Sequence, residues 1–307
     1  MGNGMVLQEP QGKLLDPTID VVFKIIFADE KNKPLLISLL TSVMKPSIPI
    51  REVEILNPEI PKEFSDDKGV ILDIHVKLAD GSRIDVEMQT SNFYNIRPRA
   101  LYYWARTYSQ QLKRGKIHTY SKLCPTVCIL ILNYVEFRDC PQQLHSIFEL
   151  KERTRGTLFL DHQTIHFIEL PKLAEKDRKQ LPILAGELEV SHWAKFLTFR
   201  NEKELEELAM AHPTMRQAKS ALASASTKKG SRQAAESRRK ALLDYQSAMI
   251  DATELAEAKG RAEGEANTFR KFVLAMYRQG MSASKIAQAI LQPVDTIQSI
   301  IDELKKH

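Results

Sequence analysis

The chain has 307 residues, 27% charged and 43% hydrophobic, with a net charge of +5. That length suits one large domain with an appendage or two domains, and the balance is ordinary for a soluble protein. No apolar run reaches about 18 residues, so no membrane span is expected; Met1 to Pro10 lack the marks of a signal peptide, and the expected location is cytoplasmic.

Residues 1–13 show no periodicity and read as a disordered lead-in. Asp16-Pro17 suits the N-cap and first position of a helix with the buried stripe Ile19, Val22, Phe23, Ile26 and Phe27. Asp20 and Lys24 lie four apart on that helix, and both a surface ion pair and a functional role are open. A second helix, Pro34 to about Met44, turns Leu36, Leu39, Leu40 and Val43 inward and stops before Pro46 and Pro49. A short strand at Val53 to Leu56 follows, then Pro58, Pro61 and the acidic pair Asp66-Asp67.

The next stretch, Gly69 to Gln89, is the most informative. Leu72, Ile74, Val76 and Leu78 share one face of a first strand, with Asp73, His75 and Lys77 on the other. In a second strand Ile84, Val86 and Met88 are apolar, while Arg83, Asp85, Glu87 and Gln89 share the opposite face. A two-residue turn at Asp80-Gly81 would mix these faces. A three-residue loop, Ala79-Asp80-Gly81 with Gly81 in the left-handed region, sets Asp73 opposite Glu87 and His75 opposite Asp85. Like charges placed opposite one another are destabilising, so the grouping of Asp73, Asp85 and Glu87 calls for a cation. Asp85 has the alternative of pairing with Lys77 or Arg83 on the hairpin surface, and His75 is either a general base or a surface histidine.

Arg97-Pro98 opens a helix to about Lys113, before Gly115, with Leu101, Trp104, Ala105, Tyr108 and Leu112 expected against a sheet. Its other side carries Arg99, Tyr103, Arg106, Gln110 and Arg114, which suit phosphate contacts and base stacking as well as a plain solvated face. Thr126 to Tyr134 is a nearly unbroken apolar run, as in a strand covered on both faces. Short strands are expected at Phe148 to Leu150, Leu158 to Leu160 and Thr164 to Leu170, and helical packing at Lys172 to Leu181 and Trp193 to Leu197. His162 and His166 would share a strand face with nothing else to bind. Cys124, Cys128 and Cys140 lack a zinc-like partner set; the first two read as buried thiols.

From about Asn201 the composition shifts to Ala, Glu, Lys, Arg, Ser and Gln. Residues 201–266 read as a charged helical linker, broken near Thr227 to Ser231. Within it Met215 to Lys240 is strongly basic, which fits either phosphates or a solvated helix face. Residues 267–307 read as two small helices with helix-turn-helix spacing, equally suited to packing or dimerisation.

Asp73 followed by Glu87-Met-Gln89 on adjoining strands, with helices before and after, resembles the PD-(D/E)XK nuclease superfamily. With Asp16-Pro-Thr-Ile-Asp-Val-Val-Phe-Lys24, Ile71-Leu-Asp-Ile, Arg99-Ala-Leu-Tyr-Tyr103, Gly115 to Tyr120 and Ile168-Glu-Leu-Pro-Lys172, the chain is similar to the Rpn family of recombination-promoting nucleases and transposase-like proteins. The resemblance spans residues 14–200, the expected nuclease-like domain. It implies an α/β (α+β) fold with a mixed central sheet flanked by helices and a helical C-terminal extension.

It also implies a metal-dependent DNA endonuclease that hydrolyses phosphodiester bonds, associated with DNA recombination or mobile elements. Asp73, Glu87 and the Met88 carbonyl would hold Mg²⁺ (or Mn²⁺), and Gln89 would stand where the superfamily has lysine. Accessory roles fall to Asp20, Lys24, Asp85, Arg99 and Tyr103. The partner would be DNA, with a homodimer through the C-terminal helices a further expectation. The alternative is a catalytically inactive DNA-binding or assembly protein on a nuclease scaffold; a third reading is a structural acidic hairpin with no ligand.

Overall fold

The structure, a computed structural model, describes residues 14–56, 59–60, 70–71, 73–90, 95–112 and 120–304. The expected lead-in over residues 1–13, the loop carrying Pro58, Pro61 and Asp66-Asp67, Leu72, Arg114 and the helix end at Gly115 lie outside the described residues. Two compact units divide between Arg239 and Lys240.

The strands of the first unit are β1 (Val53–Ile55), β2 (Glu59–Ile60), β3 (Val70–Ile71), β4 (Ile74–Leu78), β5 (Arg83–Gln89), β6 (Thr126–Leu132), β7 (His145–Glu149) and β8 (Gln163–Glu169). Six form a mixed sheet in the order β1-β4-β5-β6-β8-β7, and β2 pairs with β3 separately. The β5–β6 and β6–β8 ladders are parallel, and the rest are antiparallel. Of the three expected short strands after Tyr134, the first lies partly in β7 and the third largely in β8. Leu158 to Leu160 forms no strand, only a bridge from Lys151 to Leu158.

One face of the sheet is covered by α1 (Asp20–Phe27) and α2 (Lys33–Met44), and by helices from later in the chain. The stripe Ile19, Val22, Phe23, Ile26 and Phe27 is buried there as the spacing predicts, with Leu36, Leu39, Leu40 and Val43 of α2. The start of α1 differs. Asp16 accepts from the Thr18 amide (2.8 Å) and hydroxyl (2.6 Å), closing a turn, and the helix begins only at Asp20. A short polar side chain bonding the backbone two residues on competes with the helix it was expected to cap.

The other face is covered by α3 (Ile96–Ser109), the crossover between β5 and β6. Ile96 and Ala100 are buried against Cys128, Leu130, Leu132, Ile165 and Phe167, with Trp104 packed alongside. Leu101 and Ala105, expected against the sheet, are exposed, and Arg106, expected outward, is buried. The helix is turned from the expected face because the strands beneath it carry Asp85 and Glu87, and Arg99 and Tyr103 on its flank meet that polar patch.

Further on come α4 (Leu170–Lys179), α5 (Leu188–Leu197), α6 (Glu202–Ala211) and α7 (Pro213–Thr227). The last two fall in the segment that composition assigns to a linker. Instead Leu205, Met215, Ala218 and Leu222 are buried in the same core as α1, α2 and Trp193. Two apolar residues per turn suffice to dock a helix whose remaining surface is charged, and composition averages that stripe away.

Two ion pairs are buried near the β8–α4 junction. Lys172 pairs with Glu169, and its ammonium also donates to the Cys140 carbonyl (2.9 Å). Glu169 Oε1 accepts from the Glu136 and Phe137 amides (2.7 and 3.0 Å). Lys176 lies 2.7 Å from Glu187, whose other oxygen accepts from the His145 amide (3.1 Å). Beside them the rings of His145 and His166 stack, with Nε2 and Nδ1 2.9 Å apart. Burial holds both well below the ordinary imidazole value, at about 4 for His145 and about 3 for His166. His162 meets the Tyr108 hydroxyl (3.0 Å). Cys128 is buried and Cys124 half-buried, while Cys140 is exposed.

α8 (Lys229–Arg278) begins in the first unit, where Ala235 joins the core. In the second unit Val273 of the same helix packs with Ile286 and Ala287 of α9 (Ala283–Ile290) and Ile297 and Ile301 of α10 (Val294–Leu304). Ser282 caps α9, and Leu291 at φ 55° ends it. The spacing is that of a helix-turn-helix, but α10 carries Asp295, Asp302 and Glu303 and no Lys or Arg, a poor charge for a groove of phosphates. Among the described residues no helix is long and apolar enough to cross a membrane.

Candidate active site

The hairpin adopts the face-consistent register. Ile74 pairs with Val86, His75 with Asp85, Val76 with Ile84 and Lys77 with Arg83. The loop closes through the Gly81 amide donating to the Leu78 carbonyl (3.0 Å) and the Leu78 amide to the Ser82 carbonyl (2.9 Å). Gly81 has φ +92°, and a Cβ there would lie 2.7 Å from Cys124 Sγ. Backbone conformation and a close neighbour therefore both require glycine at this position.

That register brings Asp73 and Glu87 to one side and interlocks them. The Asp73 amide donates to Glu87 Oε1 (2.9 Å), and the Met88 amide donates to Asp73 Oδ2 (2.9 Å). Each acid thus holds the backbone of the opposite arm. The other carboxylate oxygens face cations: Lys24 Nζ lies 3.0 Å from Asp73 Oδ1, and Arg99 Nη2 lies 3.5 Å from Glu87 Oε2. Gln89 sits between acid and base. Its Nε2 donates to Glu87 Oε2 (3.0 Å), and its Oε1 accepts from Arg99 Nη1 (3.1 Å). Tyr103 completes the flank, its hydroxyl accepting from Arg99 Nε (2.9 Å) and its ring 5.0 Å from the guanidinium carbon. Met88 itself turns its side chain into the opposite core, so only its backbone faces the site.

Asp85 is fully buried, not on the hairpin surface; Lys77 pairs instead with Glu54 of β1 (3.6 Å). Asp85 Oδ2 is 3.5 Å from the Cys128 thiol, and Oδ1 is buried with no hydrogen-bond donor. His75, directly across the ladder, is half-buried. Asp20 stands apart from the carboxylate group: its two oxygens meet Arg238 of α8 at 2.9 and 2.7 Å. The role of Arg238 is invisible in the sequence, where it is one of several bases more than 200 residues from its partner.

Burial dominates the electrostatics. It raises the Asp73 carboxyl above its usual range against the pull of Lys24. It pushes Asp85 up to about 8, assisted by the charge of Asp73. Glu87 rises well above the ordinary value through burial and then the charges of Asp85 and Asp73. Three carboxyl groups thus share two cations at a buried corner. A group that costs this much to ionise alone is suited to a divalent cation, which supplies the missing charge.

Among the described residues no group of three or more His, Cys, Asp or Glu side chains is arranged to hold a metal ion. The donors gathered there are hard oxygens: the Asp73 and Glu87 carboxylates and the buried Asp85 Oδ1. Each paired oxygen of Asp73 and Glu87 keeps lone-pair capacity beyond the hydrogen bond it accepts. Such a set, finished by water, fits Mg²⁺ or Mn²⁺ better than a soft metal.

No match is found among curated proteins or solved structures. The family described as PD-(D/E)XK nuclease family transposase matches residues 17–252, from the turn before α1 into α8, taking in the sheet, the interlocked acids and the α6–α7 layer. With well over half its length matched, the chain belongs to the PD-(D/E)XK nuclease family transposases.

Proposed function

We propose that this protein is a divalent-metal-dependent DNA endonuclease that hydrolyses phosphodiester bonds and serves DNA recombination or mobile elements. The observation that carries the reading is the mutual hydrogen bonding of Asp73 and Glu87 across the hairpin, in a cluster short of positive charge. Asp73, Glu87 and the Met88 carbonyl are the proposed ligands, with Asp85 behind Glu87. A bound Mg²⁺ or Mn²⁺ would supply Lewis-acid activation of water and charge neutralisation at the scissile phosphate.

The protein's own groups do the rest. Gln89 carries no charge, so it orients but cannot act as the lysine of related sites. Arg99 reaches the same place from α3 and contacts both Gln89 and Glu87, which brings a permanent cation there. Lys24 supplies a second one at Asp73. The two cations flank the carboxylates where a phosphate would bring negative charge, and the Tyr103 ring braces Arg99. DNA is the proposed partner and the cytoplasm the proposed location.

The test is nicking of supercoiled plasmid by wild-type and Asp73→Ala protein in Mg²⁺, Mn²⁺ or EDTA. Cutting that needs the metal and the Asp73 carboxylate supports the reading; equal cutting by both proteins refutes it. One observation favours the second reading, a DNA-binding or assembly protein without catalysis: every oxygen of Asp73 and Glu87 already accepts from a protein donor. That reading predicts salt-sensitive DNA binding, with no cutting, that survives Asp73→Ala.

A further inference from the structure

Lys24 has two acids within its compass. Asp20 is four residues before it on α1, an acid N-terminal to a base, which is the favourable order for a helical ion pair. Asp73 lies across the layer boundary at the mouth of the hairpin. The structure sends Lys24 to Asp73, at 3.0 Å. Asp20 is instead engaged at both oxygens by Arg238, Nε to Oδ1 at 2.9 Å and Nη2 to Oδ2 at 2.7 Å, and Oδ1 also accepts from the Val21 amide (2.8 Å). Arg238 belongs to the same compact unit as α1 and the sheet.

We infer that Arg238 is a positioning residue: by occupying both oxygens of Asp20 it denies Lys24 its helical partner and so keeps the Lys24 ammonium on Asp73. A planar guanidinium matches a carboxylate at two points, whereas an ammonium makes a single-point contact, so arginine wins the competition for Asp20. The other bases of this region do different work. Lys219 pairs with Glu206, and Arg232 Nε donates to the Ser226 carbonyl (2.5 Å). Of the α8 bases, Arg238 bonds Asp20, while the charge of Arg239 acts on Asp16. This inference concerns the site proposed above, but its central readout needs neither metal nor DNA.

The experiment measures how fast Lys24 of metal-free protein is acetylated by acetic anhydride, with peptide mass spectrometry as the readout. Wild type is compared with Arg238→Gln, Arg238→Lys, Asp20→Asn and the Asp20→Asn/Arg238→Gln pair. Arg238→Gln should speed acetylation about fivefold, the factor that one weak ion pair commands. The double variant should return to the wild-type rate, because an uncharged amide in place of the Asp20 carboxylate no longer draws Lys24 away. Arg238→Lys should fall between the two. If the double variant is acetylated as fast as Arg238→Gln, Arg238 is only a clamp between helices and the inference fails; no change in Arg238→Gln sinks it as well. Should Arg238→Gln fold poorly by circular dichroism, Arg238→Lys against Asp20→Asn/Arg238→Lys gives the same comparison. Nicking assayed in parallel keeps the two ideas apart: acetylation as expected with no cutting by wild type overturns the nuclease reading alone. Cutting by wild type with unaltered acetylation overturns this inference alone.

Discussion

The β8–α4 junction and the β4–β5 hairpin both bury carboxylates, and they complete them differently. At the junction each acid has its own lysine, and backbone amides take up the remaining oxygens: Glu169 with Lys172, Glu187 with Lys176. At the hairpin Asp73, Asp85 and Glu87 share Lys24 and Arg99, and Asp85 Oδ1 has no donor. Buried ion pairs are tolerated when every member is satisfied. A buried group of carboxyls with fewer cations than acids is a place where an outside cation would fit.

The largest effect expected concerns the hairpin. Glu87→Ala should lower metal-dependent nicking by about a thousandfold, the loss of several kcal/mol of charge stabilisation, while metal-free stability falls by no more than about 1 kcal/mol, the lost acceptor of the Asp73 amide being offset by relieved repulsion. A large drop in stability instead would make Glu87 a structural acid like Glu169.

Next in size is the junction. Lys172→Met strands Glu169 as a buried unpaired charge and should cost about 3–5 kcal/mol in urea denaturation. If it costs no more than Arg99→Gln, the division between completed and incomplete charge groups collapses.

Acid pH should pull the two regions in opposite directions. His145 and His166 are held neutral down to about 4 and about 3, so between the ordinary imidazole value and pH 4 the unfolded chain binds more protons. Their contribution is present above about pH 6.5 and is lost as pH falls, on the order of 2 kcal/mol. Asp85, pushed up to about 8, binds its proton in the folded state, so its contribution is greatest at low pH and is lost as pH rises through 8. A metal must displace that proton, and calorimetry should show Mg²⁺ affinity rising about tenfold between pH 6 and 8. A flat profile would mean Asp85 stands outside the metal's field.

The smallest effect sharpens the same point. Asp85→Asn removes repulsion rather than a partner, and should raise metal-free stability at pH 8 by about 1 kcal/mol while weakening Mg²⁺ binding.

Much of this was legible in the residues. The strict alternation of Ile84, Val86 and Met88 with Asp85, Glu87 and Gln89 leaves one register that keeps faces pure, and Gly81 fits the loop that register needs. The stripe of α1 follows from helical spacing alone. What escaped depends on contacts between distant parts. Local pattern places Leu101 and Ala105 inward, but the polar patch under α3 decides the helix's rotation. The docking of α6 and α7 depends on a few residues such as Leu205 and Met215 within a charged composition. Arg238 finds Asp20 across the fold, and Asp20 and Lys24, neighbours by spacing, have different partners. The Glu169–Lys172 pair stands in the sequence as Glu-Leu-Pro-Lys, yet nothing local says that both ends are buried.

The exchange of hydrogen bonds between Asp73 and Glu87 has a consequence for how the two acids can be dissected. Because each carboxylate clasps the main chain that carries the other, truncating either one loosens its neighbour. Single and double alanine variants should then be strongly non-additive, the pair failing as one unit. By the same token a chain whose ribbon has slipped by one step has lost both acids at once, so the proposed cutting would arrive only with the finished fold.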